Sequence, residues 1–174
     1  MRKFSLAFAA MLGSRSKAAV VASEAAECGL ASLAMAANAH GMRIGLAELR
    51  QRFPLSLKGA KLDQLIHIAQ RLGFSTRPLR LDLEELDQLK LPCILHWDLN
   101  HFVVLARVGK SKITVLDPAV GERRLPLSEV SNHFTGALEL TPTAEFKPRK
   151  AAPTVSARQL AGLVMIGILP GGGN

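Results

Sequence analysis

The sequence predicts an α+β domain, with helices first and an antiparallel sheet after them. Three observations point there. Through the first half, apolar residues recur at intervals of three and four. The second half holds short runs rich in Val, Ile, Leu and Phe, separated by turn-forming clusters. The composition, 48% hydrophobic and 21% charged over 174 residues, is that of a folded chain long enough to bury one core.

Each element has its own signal. Leu30, Leu33, Ala34 and Ala37 share one face of a helix that starts at Cys28 and runs to about His40, where Gly41 stops it. Ala47 to Phe53 reads as a short helix ended by Pro54. Lys61 to Leu72 carries Leu62, Leu65, Ile66, Ala69 and Leu72 on one face, with Gly73 as its cap; His67, beside that stripe, reads as partly buried. Phe74 to Leu81 reads as a strand, and Asp82 to Leu89 as a helix with an acidic first turn. Then Pro92–Trp97, His101–Val108 and Ile113–Leu116 form a meander, with turns at Asp98–Asn100 and Gly109–Lys112. Arg123–Leu127 and Ala137–Leu140 add strands, with a helical turn near Ser128–Phe134 between them.

Residues 20–146 therefore form the domain, behind a lead-in over 1–19. The lead-in has the basic start and apolar run of a secretory signal, but no small-residue cleavage site follows at once. Residues 147–174 are a basic linker and an apolar tail; the tail reads as a short helix, an interfacial anchor or the start of a membrane span.

The net charge of +8 allows an anionic partner. With no tyrosine and only 5% aromatic residues there is little for bases to stack on, so nucleic acid is not expected. The basic ends (Arg2, Lys3, Arg15 and Lys17; Lys147, Arg149 and Lys150) suit an anionic membrane surface, or are simply solvated. Two widely separated cysteines make neither a metal pattern nor a disulfide framework, so a reducing compartment is expected and no cofactor.

Chemistry is expected at Cys28. A thiol at a helix N-terminus faces unpaired amides and the positive end of the helix dipole, which favour thiolate; Glu24 and Glu27 oppose them. Gly29 beside it suggests a close approach to the backbone. The plainer reading is a buried structural cysteine. A nucleophilic cysteine needs a base, and the base an orienting group. His101 opens one strand and Asp117 closes the next, so a hairpin brings both to one edge of the sheet. His96 and His133 compete as bases, one within a strand and one on the expected helical turn, while Cys93 reads as core.

The stretch Glu24-Ala25-Ala26-Glu27-Cys28-Gly29-Leu30-Ala31 closely resembles the cysteine motif of the bacteriocin-processing peptidase domains of peptide-exporting ABC transporters. The stretch Leu91 to Leu105, containing His101, is similar to that family's histidine motif, and Asp117-Pro118-Ala119 with Gly121 to its third. The resemblance implies a papain-like fold and a Cys28–His101–Asp117 triad. It also implies cleavage after a double glycine in a leader peptide, with an ABC transporter as partner on the cytoplasmic side of the bacterial inner membrane. Trp97 is then a candidate wall of the passage that admits only glycines, or a core residue. One departure stands out: where the family has an oxyanion-binding glutamine, this chain has Ala22. That implies a slowed peptidase or, alternatively, a module that binds leaders without cutting them. Ser32, where relatives often have a second cysteine, reads as a mild change in the core.

Overall fold

The computed structural model describes residues 27–54 and 60–148. Ala22, Glu24, the lead-in over 1–19 and the tail from 149 onward lie outside the described residues. Helices α1 (Cys28–Ala39), α2 (Leu46–Arg52) and α3 (Leu62–Arg71) come first. Strand β1 (Phe74–Leu79) follows, then a 3₁₀ helix (Leu83–Gln88) and strands β2 (Cys93–Trp97), β3 (His101–Val108), β4 (Lys112–Asp117) and β5 (Gly121–Pro126). A one-turn helix α4 (Leu127–Val130) leads into β6 (Phe134–Pro142).

All six strands form one antiparallel sheet in the order β1-β6-β2-β3-β4-β5. The expected meander is β2 to β4, and β5 extends it at one edge. The last strand, however, inserts between β1 and β2, so β1 becomes an edge, where Pro78 costs no ladder bond. The expected helix over 82–89 is a 3₁₀ segment instead. Leu83, Leu86 and Leu89 are spaced by threes and align on one side of a three-residue turn. The helical turn after β5 is shorter than expected, leaving His133 in the turn that enters β6. His67, expected to be partly buried, is exposed.

Strand alternation gives the sheet two apolar faces. Ile94, Phe102, Val104, Leu138 and Leu140 point toward α1, α2 and α3. Cys93, Leu95, Trp97, Val103, Leu105, Ile113 and Val115 pack on the other face with Leu86 of the 3₁₀ helix and Val130 of α4. Helix α1 lies in the middle of the first layer, with ten of its twelve residues buried. Such a helix is apolar nearly all round rather than striped. Its alanines bring its backbone close to the sheet, and Asn38 closes the loop after it by bonding both the N–H and the C=O of Ile44.

Gly29 explains how the start of α1 is packed. A Cβ there would sit 2.9 Å from Ala60 Cβ and 3.1 Å from both Leu65 methyls. The close approach expected at this glycine is thus made by the start of α3. Adding a methyl would push that segment away from the helix end that carries Cys28.

Candidate active site

Cys28 is the first residue of α1 and is 4% exposed. Glu27, just before it, makes no side-chain cap and instead forms an ion pair with Arg50 of α2. A carboxylate that would repel a thiolate is therefore partly offset by a guanidinium. The first amides of α1 have no intrahelical acceptors, and the positive end of the helix lies at the sulfur.

His101 and Asp117 meet at the end of the sheet nearest that sulfur. Val104 pairs with Leu116, and continuing this register places Asp117 opposite Val103, which makes His101 its diagonal neighbour. His101 Nε2 lies 3.1 Å from Asp117 Oδ1. The same carboxylate oxygen accepts the Ala119 N–H at 2.8 Å, a turn that fixes Asp117 independently of the histidine. Gly121, at φ +94°, closes that turn into β5. With Nε2 directed at Asp117, Nδ1 is the ring nitrogen left for the sulfur.

The electrostatics tie all three residues together. The His101 pKa is raised, chiefly by its hydrogen-bonding interaction with the Cys28 side chain. Burial opposes this, while the charges on Cys28 and Asp117 and the Asp117 hydrogen bond add to it. An imidazole beside a sulfur, backed by a carboxylate, can accept a thiol proton and hold it as imidazolium. This favours the reactive reading of Cys28 over that of an inert core thiol.

The competing residues lie elsewhere. Cys93 is fully buried, and burial together with the nearby Glu139 pushes its thiol pKa up, far from reactivity. His96 Nδ1 lies 2.6 Å from Thr135 Oγ1, and its ring lies tilted against that of Phe102. His133 lies flat against Trp97, with ring centroids 5.1 Å apart, and pairs with Asp98 at 2.7 Å. Trp97 is 2% exposed, which matches the core alternative named for it.

Two features escaped sequence reasoning. Ser32, taken for a mild core change, donates a hydrogen bond to the Phe102 carbonyl at 2.9 Å, directly beside His101. A groove of about 380 Å³ lies between the start of α3 and the sheet, with Phe102, the residue after His101, in its wall. Leu62, Pro78, Leu79, Leu99, Phe102 and Leu138 supply most of its apolar lining, with Arg80 and His96 among its polar groups. Nothing local in the sequence announces this groove, because its walls come from segments that are distant along the chain.

Residues 16–145 match the Peptidase C39 family model, and the chain belongs to that family. It is 49% identical over 138 residues to a probable microcin-H47 secretion/processing ATP-binding protein of Escherichia coli. It is 48% identical to the colicin V secretion/processing ATP-binding protein of the same organism. Each alignment covers 79% of this chain but only 20% of the relative. Among solved structures, one neighbour is a double glycine motif protease from an AMS/PCAT transporter in complex with a leader peptide. It has a TM-score of 0.66 and 32% identity, covering 71% of this chain and 89% of that one. Another is the peptidase domain of Streptococcus ComA, a bifunctional ABC transporter, at TM-score 0.64 and 25% identity, covering 71% and 96%.

Proposed function

We propose that this domain cuts the leader from secreted peptide precursors after a double glycine, with Cys28 as nucleophile, His101 as base and then acid, and Asp117 as the group that orients the ring. The observation that supports this most is the position of His101, acted on by Cys28 on one side and hydrogen-bonded to Asp117 on the other. His101 Nδ1 takes the thiol proton as sulfur attacks the carbonyl carbon of the second glycine. The resulting oxyanion collapses to a thioester while the same imidazolium protonates the departing amine. Water then attacks the thioester with His101 again as base, releasing the leader and restoring the thiol. Asp117 keeps the ring in register and stabilises its positive form.

The apolar groove suits one face of an amphipathic leader helix, and it lies beside Phe102, the residue after His101. In this reading Trp97 supports the strand end behind the site. The partner is an ABC transporter, in the same chain or a separate one, which places the domain on the cytoplasmic side of a bacterial inner membrane. Among the described residues, no helix is long and apolar enough to cross a membrane.

Ala22 favours a second reading, that of a module which binds leaders and recruits cargo without cleaving it. A side-chain oxyanion donor is worth on the order of 10²–10³ in kcat, so its loss implies slow turnover. Ala22→Gln should raise cleavage by about 10- to 10³-fold, and an unchanged rate would mean that the oxyanion is held by other groups. Incubation with a double-glycine precursor, followed by mass spectrometry, separates the two readings. A product ending at the second glycine that disappears in Cys28→Ala supports the peptidase; binding without product supports the module.

A further inference from the structure

Helix α1 carries the sulfur, β3 carries the imidazole, and most of what holds one on the other is alanine and leucine. Apolar contacts of this kind set the distance between a helix and a sheet. They resist sliding along the helix axis poorly, because dispersion and burial are not directional. Apart from the thiol–imidazole interaction itself, one side-chain hydrogen bond among the described residues joins α1 to the sheet: Ser32 Oγ to the Phe102 carbonyl, 2.9 Å, with Ser32 fully buried. A mid-helix serine ordinarily turns back to the carbonyl four residues earlier, which here is that of Cys28. Ser32 reaches instead across 70 positions of chain to β3. It lies one turn below Cys28, about 6 Å along the axis, and its acceptor is the residue after His101.

We infer that Ser32 is a positioning residue for the thiol–imidazole pair, its bond to Phe102 fixing how far along β3 the start of α1 comes to rest. This rests on the peptidase reading of the site, and it predicts a defect in the chemical step rather than in leader binding. The hydroxyl also satisfies a strand carbonyl, so loss of folding must be separated from loss of alignment. Threonine and valine at this position provide that control, being alike in size and differing only in the hydroxyl.

The test is the rate of Cys28 alkylation by iodoacetamide in the full chain, set against that in His101→Ala, with peptide mapping to separate Cys28 from Cys93. An imidazole that takes the thiol proton speeds this reaction. The unsubstituted protein should react at least about tenfold faster than His101→Ala. In Ser32→Ala and Ser32→Val the rate should fall toward that of His101→Ala, and Ser32→Thr should restore most of it; kcat on a precursor should follow while KM stays within about threefold. A rate unchanged in Ser32→Ala, or equal in the threonine and valine variants, overturns the inference while leaving the peptidase intact. A rate in the unsubstituted protein no faster than in His101→Ala overturns the peptidase reading itself. Should the alanine variant not fold, the threonine–valine pair decides the matter.

Discussion

Two histidine–aspartate pairs stand at the same end of this sheet. His133 and Asp98 are the closer pair, at 2.7 Å, with the His133 ring against Trp97 and its backbone carbonyl accepting the Asp98 N–H. His101 and Asp117 are 3.1 Å apart. By distance alone the first pair would be chosen. The second differs in its surroundings: Asp117 is 8% exposed against 50% for Asp98, and the ring of His101 has the Cys28 thiol as a neighbour. A buried carboxylate has few other partners and keeps its grip on the ring. A half-solvated one shares its attraction with water, where exposed pairs contribute little. A short histidine–carboxylate contact is therefore weak evidence of catalysis; a thiol close to the same ring is the stronger sign.

Substitution should separate the pairs widely. His101→Ala should lower precursor cleavage by at least about 10⁴-fold, as should Cys28→Ala, because members of a catalytic unit fail together. His133→Ala should leave the rate within about threefold. If His133→Ala were as damaging as His101→Ala, the base would have been misassigned. At the carboxylates the expected gap is smaller. Asp117→Asn should cost on the order of 10²–10⁴ in kcat through lost ring orientation, with little change in KM. Asp98→Asn should leave the rate within about threefold, since asparagine accepts the φ of +51° that Asp98 takes in its turn.

The pH dependence sharpens the contrast further. The folded-state pKa of His101 is raised from 6.5, so the folded protein binds this proton more tightly than the unfolded chain. The stability this contributes is fully present below 6.5 and is lost as pH rises through the higher folded value. Chemical denaturation of His101→Ala should therefore show a smaller loss of stability across that interval than the unsubstituted protein. In kinetics, the alkaline limb of kcat/KM should fall at a pH above 6.5, where the leaving amine loses its acid. The same titration run on His133→Ala should reproduce the unsubstituted profile.

Much of this site is legible in the chain because its parts are local. A cysteine beside a glycine at a helix start, a histidine opening one strand of a hairpin and an aspartate closing the next are each read within a few residues. Their convergence follows from antiparallel pairing. What could not be read depends on residues far apart. The insertion of β6 between β1 and β2 sets Leu138 opposite Ile94, a pairing between segments far apart in the chain that no turn signal reports. Glu139 is a carboxylate in the middle of a strand and is only 2% exposed. There, bonds from Arg77 and the Lys90 N–H outweigh the cost of burial and hold its pKa below the usual value. The Ser32 bond spans 70 positions and carries no local mark beyond a serine among alanines.

The proposed chemistry needs the sulfur and the carboxylate both to act on the ring of His101, and ring-nitrogen NMR of His101 tests this directly. In the unsubstituted protein its midpoint should lie above 6.5, and Cys28→Ala should lower it by more than Asp117→Asn does, since the thiol is the largest cause of the shift. A His101 midpoint that stays the same when the thiol is removed would contradict the account.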